Sequence, residues 1–327
     1  MESKIRWGII GPGKIAQKFA SDLMLNEEAE ITAVASRNLD RATDFAANFE
    51  VAHSFGSYEA LFESNTVDIV YIATPHRFHK ELAIKAMQNG KHVLCEKPLG
   101  VNSREVREMI EVAKIENVFL MEGLWSRFNP SIQKTKELVD TNAIGQITYL
   151  HADFAFYALD RGEESRLINP ELASGSLLDI GIYPVFLSYL LLGMPENIMA
   201  QANFLDNGTE GQTSILFKYA NALSVLYSGL KGVSKMEAEI SGEQGEIFVH
   251  PRWHEANGLS LKKGKKIEVF DLSKEGNGFV YEIDEVHKCL KNKLLESKLW
   301  SHKNSLDLSQ LLDEIRFQIG AKFPFES

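Results

Sequence analysis

Short apolar runs alternate with amphipathic stretches through the first third of the chain. Ile5–Ile10, Glu30–Ser36, Ile69–Ala73, His92–Glu96 and Val118–Glu122 have the length and composition of strands. Between them, Ile15–Asn26, Asp40–Phe49, His79–Asn89 and Ser103–Glu116 repeat apolar residues at helical spacing. Gly90 follows one helix as a left-handed terminator, and Ser103 reads as the capped start of the next. Strand and helix in alternation predict a parallel, doubly wound sheet.

The pattern changes after Pro130. A helix is predicted to about Asp140, a strand through Asp153, and an apolar helix from about Ser176 to Leu192. From Ile198 to Leu272 the runs become β-rich, including Thr213–Tyr219, Ala222–Leu230, Ala238–Ser241 and Ile267–Leu272, with Gly and Asn between them. Phe279–Lys298 and Ser305–Ile319 close the chain as helices. The expected fold class is α/β. A Rossmann doubly wound parallel sheet at 1–124 is followed by an α+β domain at 125–327 with a large, predominantly antiparallel open sheet.

Composition narrows the function. The 327 residues are 44% apolar, enough for two cores. A net charge of −10 without a basic block argues against a nucleic-acid surface. Met1-Glu2-Ser3-Lys4 leads into the first strand without a secretory pattern, and the longest apolar run, Tyr183–Met194, falls short of a membrane span. Two cysteines, Cys95 and Cys289, fit a reducing cytoplasm, where the Asn207-Gly208-Thr209 sequon is idle. A small-molecule partner is expected.

Gly11 and Gly13, with Lys14, Ile15 and Ala16, follow a strand and open a helix, the setting in which backbone amides approach a pyrophosphate. The second strand ends Ser36-Arg37-Asn38 and lacks the acid that usually accepts an NAD ribose hydroxyl. Arg37 can pair with a 2′-phosphate and stack on adenine, and Ser36 and Asn38 can donate hydrogen bonds, so NADP is the expected cofactor. Asp40 is assigned to the helix amino terminus. Thr74-Pro75-His76-Arg77-Phe78-His79 and Glu96-Lys97-Pro98 follow two further strands and are expected to face the same crevice. The His76/His79 spacing lacks a nearby cysteine or acid to complete a metal shell, so no metal is assigned.

Lys97, just past a strand, is a proton-handling candidate. Asp179 and Tyr183 lie four apart and share a face if the segment is helical. The Gly11/Gly13 loop, Glu96-Lys97-Pro98 and Asp179-x-Gly181-x-Tyr183 match, in order and spacing, the Gfo/Idh/MocA oxidoreductases, which the chain resembles over nearly its full length. Tyr183 stands where many members carry histidine. It resembles the dihydrodiol dehydrogenase / NADP-dependent D-xylose dehydrogenase branch, as do Met121-Glu122-Gly123-Leu124-Trp125-Ser126-Arg127-Phe128 and Glu314-Ile315-Arg316-Phe317-Gln318-Ile319-Gly320. The resemblance implies an NADP-dependent alcohol or sugar dehydrogenase with Lys97 and Tyr183 catalytic, and a carboxyl-terminal sheet domain that commonly mediates oligomerisation. It also implies a substrate pocket with Trp125, Arg127, Phe154 and Phe279, and less securely Trp253.

The chemistry points the same way. Removing hydride from a carbinol carbon requires a base at its hydroxyl. Ionising a free tyrosine at pH 7 costs about 4 kcal/mol, at about 1.36 kcal/mol per pKa unit. A nearby cation lowers that cost, the role expected of Lys97, while Asp179 orients the substrate hydroxyl or the lysine. The expected substrate is a vicinal diol, a polyol or the anomeric hydroxyl of an aldose. A non-catalytic NADP-binding regulator and an NAD-dependent glycosidase-like enzyme are the alternatives. A dimer or higher homo-oligomer through the open sheet face is expected, since such a face needs cover.

Overall fold

The computed structural model describes residues 4–326. The chain divides into two compact units. One runs to Trp125 and takes in Glu275–Leu306; the other comprises Ser126–Lys274 and the residues from Asp307 onward. The segment Glu275–Leu306, which sequence places in the second domain, packs in the first through buried polar contacts no local pattern reveals. The Trp7 indole N–H donates to His287 Nε2 (3.0 Å), and the Asp22 carboxylate accepts the backbone N–H groups of Asn277 and Phe279 (both 2.8 Å). Trp300 Nε1 donates to Glu122 (3.0 Å).

The first unit holds six strands: β1 (Ile5–Ile10), β2 (Ala29–Ala35), β3 (His53–Phe55), β4 (Ile69–Ile72), β5 (His92–Glu96) and β6 (Leu120–Gly123). They pair in parallel in the order β3-β2-β1-β4-β5-β6, the expected doubly wound arrangement. Helices α1 (Lys14–Leu23), α2 (Leu39–Phe49), α3 (Tyr58–Phe62), α4 (His79–Gln88) and α5 (Ser103–Ile115) connect them. β3 and α3 are too short to show a period and were not expected. Asn102, not Ser103, caps α5: its side chain accepts Glu105 N–H at 3.0 Å. Covered on both faces, β4 is buried at every position, and Val70, Ile72, Val93 and Cys95 pack with Leu82, Met87, Val106 and Met109. Each such aliphatic side chain contributes about 1.5–3 kcal/mol by leaving water. Strand order reverses at β1 and β4, so the loops after them diverge and leave a crevice at the carboxyl edge.

The second unit begins with α6 (Pro130–Asp140) and β7 (Ile147–Ala155). A π-helical turn, Leu177–Gly181, then leads into α7 (Ile182–Leu192). Seven strands follow: β8 (Asn197–Phe204), β9 (Glu210–Lys218), β10 (Leu223–Gly229), β11 (Ala238–Gly242), β12 (Gly245–Val249), β13 (Gly258–Lys263) and β14 (Lys266–Asp271). The eight-stranded order is β14-β13-β12-β11-β7-β10-β9-β8, antiparallel except where β10 meets β7. Helix α7 packs against β7 and β10. Met199, Leu223, Val225 and Tyr149 remain exposed, and their cross-strand pairing places them on one sheet face. Helices α8 (Val280–Lys291) and α9 (His302–Ile319) complete the chain.

The apolar stretch around α7 is longer than its uninterrupted run indicates. Pro170–Leu192 has the length and mean hydropathy, 1.6, of a membrane-crossing helix, yet 78% of that window is buried within the protein. Its apolar character serves the core.

Candidate active site

In the first unit the loop after β1 turns on Gly11, whose φ of 82° favours glycine. A Cβ there would lie 3.0 Å from Thr74 Cγ2 and 3.2 Å from the Ala73 carbonyl oxygen. At Gly13 a Cβ would meet only the Gly11 oxygen, 4.0 Å away, so the space beside it is open for a diphosphate. Helix α1 starts without a side-chain cap, which leaves its first N–H groups for an anion. Lys14 and Ile15 stand exposed on its first turn. Thr74 Oγ1, beside the loop, is buried without a hydrogen-bond partner. Together these features fit a bound dinucleotide.

At the end of β2, Ser36 Oγ accepts Asn38 N–H (3.2 Å), and Asn38 Oδ1 caps α2 by accepting Arg41 N–H (3.2 Å). Asn38 is therefore committed on its carbonyl side, leaving its amide nitrogen as the donor. The Arg37 guanidinium lies 5.5 Å from the Phe78 ring centroid, a cation–π contact that shelves the cation beside the crevice. Asp40 occupies the first turn of α2, where its charge favours the helix amino terminus. These groups fit a 2′-phosphate.

The loop after β5 is fixed from three sides. Glu96 accepts the Tyr71 hydroxyl at 2.5 Å; burial and the Glu96 charge push the Tyr71 phenol well above its ordinary pKa, keeping it a donor. Glu122 accepts Leu99 N–H at 2.9 Å. Burial raises the Glu122 pKa, opposed by hydrogen bonds from Trp300, Ser305 and Leu99 and by the Lys97 charge. His79 lies between two carbonyls, Pro98 O at 2.8 Å from Nδ1 and Thr74 O at 2.9 Å from Nε2. Fully buried, with both nitrogens on backbone, it braces the loops instead of facing a ligand as expected from sequence. His76 packs edge-on against it, 5.7 Å between centroids, and Pro75 leads into that turn. Lys97 emerges half-buried from this scaffold. On α8, Glu282 has both carboxylate oxygens buried without hydrogen-bond partners; burial, then the Glu96 and Asp22 charges, push it well above the ordinary carboxylate range.

In the second unit the π turn replaces the uniform α-helix expected around Asp179 and Tyr183. Its last residue packs closely: a Cβ on Gly181 would lie 2.7 Å from Ser228 Oγ, so only glycine fits there. Glu210 anchors its start, accepting Leu177 N–H (2.8 Å), Ser176 Oγ–H (2.7 Å) and Thr213 Oγ1–H (2.6 Å). Asp179 is buried and forms an ion pair with Arg166. Tyr183 lies in a ring cluster, 5.6 Å from Phe154 and 5.3 Å from His254, which itself stacks on Phe154 at 4.1 Å.

The expected pocket aromatics separate. Phe154 stands beside Tyr183. Phe279 belongs to the first unit and is 1% exposed, packed on Phe19 and Trp125; its ring is core. Trp125 is buried on the other side of that stack. Trp253 is fully buried and donates its indole N–H to the Asp153 carbonyl (2.9 Å), so the ring next to Tyr183 comes from the following residue, His254. Arg127 is buried in the second unit. Sequence reasoning missed Tyr71, Arg166, Glu210 and His254. Tyr71, two residues before Ala73, was the most accessible, since a hydroxyl within a wholly buried strand needs a partner. Among the described residues no cluster of three His, Cys, Asp or Glu is arranged to hold a metal ion.

Residues 5–124 match the model of the oxidoreductase family with an NAD-binding Rossmann fold, and residues 132–248 that of the GFO/IDH/MocA C-terminal domain. The chain is 34% identical to trans-1,2-dihydrobenzene-1,2-diol dehydrogenase of Mus musculus, over 98% of each chain. It is 32% identical to scyllo-inositol 2-dehydrogenase (NADP(+)) IolU of Bacillus subtilis, also over 98% of each. KijD10, a 3-ketoreductase from Actinomadura kijaniata solved with NADP and TDP-benzene, superposes with a TM-score of 0.87 at 25% identity, covering 97% of this chain and 98% of that one.

Arg37→Ala is expected to weaken NADP binding at least tenfold, within the range for losing a charge-assisted hydrogen bond, while NAD affinity changes little. Titration by intrinsic fluorescence measures both, and equal losses would remove Arg37 from the phosphate role.

Proposed function

The chain belongs to the Gfo/Idh/MocA oxidoreductase family, and we propose that it transfers hydride between a hydroxyl-bearing carbon of a sugar, polyol or vicinal diol and the nicotinamide of NADP. It is an NADP-dependent dehydrogenase. Names of its relatives support the substrate class: a dihydrodiol dehydrogenase and an inositol dehydrogenase. The carrying observation is Lys97, held at the carboxyl end of β5 by a loop whose backbone cannot shift without breaking the contacts of Tyr71, His79 and Glu122.

Bound NADP supplies the hydride acceptor in oxidation and the donor in reduction. The hydroxyl proton leaves as the C–H bond breaks, and Tyr183 accepts it before passing it to solvent. In reduction the same phenol returns a proton to the carbonyl oxygen. Lys97 favours the phenolate over the neutral phenol, lowering the roughly 4 kcal/mol that a free tyrosine would require at pH 7. Asp179 orients the substrate hydroxyl. Phe154, packed on Tyr183, supplies an apolar wall that suits a sugar ring by stacking or a diol by packing.

The exposed apolar stripe of Met199, Leu223, Val225 and Tyr149 supports a homodimer through the outer sheet face. Val225→Lys is expected to turn that dimer into a monomer by light scattering; a monomeric parent protein would remove the proposal.

Absorbance at 340 nm with NADP and a panel of aldoses, inositols and trans-diols tests the activity. Steady NADPH production is expected, falling at least a hundredfold in Tyr183→Phe with NADP affinity retained. Binding without turnover across the panel would contradict the dehydrogenase reading, and a near-normal rate in Tyr183→Phe would remove it as the base.

A further inference from the structure

We infer that Arg166 is a positioning residue that sets the charge balance around the Tyr183 phenol by neutralising Asp179. The inference rests on Tyr183 being the proton acceptor. Asp179 lies in the π turn directly before the helix that carries Tyr183, and its side chain is 6% exposed. A carboxylate there without a counterion would favour the neutral phenol, because a second negative charge nearby is repelled. It would also be costly to bury.

Arg166 answers both problems. It reaches Asp179 from the segment between the short helical turns Leu159–Arg161 and Pro170–Leu172, and its own side chain is 55% exposed. A guanidinium stays protonated across the working pH range, so the pair holds Asp179 ionised and directed while cancelling most of its field.

Charged groups on the elements packed against α7 and in the ring cluster have partners of their own. His254, in the ring cluster, has Glu255 Oε1 at 3.9 Å from its Nε2, and Glu255 is tied in turn to Lys274 and Arg252. Strands β7 and β10, packed on α7, bring Asp153, which accepts Met236 and Glu237 N–H, and Tyr227. Helix α6 also packs on α7, and its charges pair internally as Lys134–Glu137 and Lys136–Asp140. Next to the π turn, Glu210 is held by Ser176, Thr213 and Leu177 N–H. Arg166 is thus the cation placed on the carboxylate that immediately precedes the phenol's helix.

The pH dependence of kcat/KM for alcohol oxidation tests this. Below the phenol pKa the base is lost, so anything that raises that pKa moves the acid limb to higher pH. Arg166→Met is expected to move the limb up by about one unit, a roughly tenfold loss of rate on its acid side. Arg166→Lys should restore part of the shift, Asp179→Asn alone should move the limb down, and the Arg166→Met/Asp179→Asn double variant should return it toward the parent position despite a lower rate. NADP affinity and Tm, followed in parallel, show whether each variant is folded. A lowered rate in Arg166→Met with an unmoved limb, or a double variant no different from Arg166→Met, would overturn the inference. If Tyr183→Phe is inactive while the limb ignores Arg166, only this inference fails; if Tyr183→Phe keeps its rate, the proposed mechanism fails first.

Discussion

Buried carboxylates that accept hydrogen bonds are the constraint that fixes the backbone around Lys97 in the first unit and around Asp179 in the second. A desolvated carboxylate is expensive unless its oxygens are filled, so its donors are held in place as firmly as it is. Glu96 and Glu122 do this for the loop that presents Lys97, drawing in Tyr71, Leu99 and Trp300. Glu210 does it for the turn that presents Asp179, drawing in Ser176, Leu177 and Thr213. Lys97 and Asp179 therefore project from backbone held by these contacts, the property that the proposed chemistry needs.

Cofactor preference rests on a different balance. The chain carries a net charge of −10, so its overall field opposes a polyanionic ligand and affinity has to come from local donors. The open side of Gly13, the uncapped start of α1, the buried Thr74 hydroxyl and the Arg37 cation on Phe78 are the local groups that fit this need. Arg37 gives that set its direction, since a cation where NAD enzymes place an acid favours the phosphorylated ribose.

Features encoded by neighbouring residues were legible in the sequence. The glycine turn, the parallel doubly wound sheet and the Glu96-Lys97-Pro98 loop at a strand end all depend on periodicity or on short-range geometry, and β1 and β5 were bounded correctly to the residue. What escaped depends on tertiary contact. His79 was expected at the cofactor crevice because its segment follows β4 at the sheet's carboxyl edge, whereas the Thr74 and Pro98 carbonyls beside its ring are not visible in the sequence. Gly181, at the end of the π turn, packs against Ser228, a residue far away in sequence. Phe279 and the rest of Glu275–Leu306 return to the first unit because Asp22, Trp7 and Glu122 receive them there, and no local pattern announces a return. Arg166 and His254 acquire meaning only when the fold sets them beside Asp179 and Tyr183.

We propose that Lys97 lowers the proton affinity of the Tyr183 phenol in the NADP complex. The direct measurement is a 13C NMR titration of ring-labelled tyrosine, with Tyr183 assigned by its loss in Tyr183→Phe, in the parent protein and in Lys97→Met. The expected result is a Tyr183 pKa below the ordinary value of about 10 in the parent and a rise of at least one unit in the variant. An identical Tyr183 pKa in both proteins would contradict it.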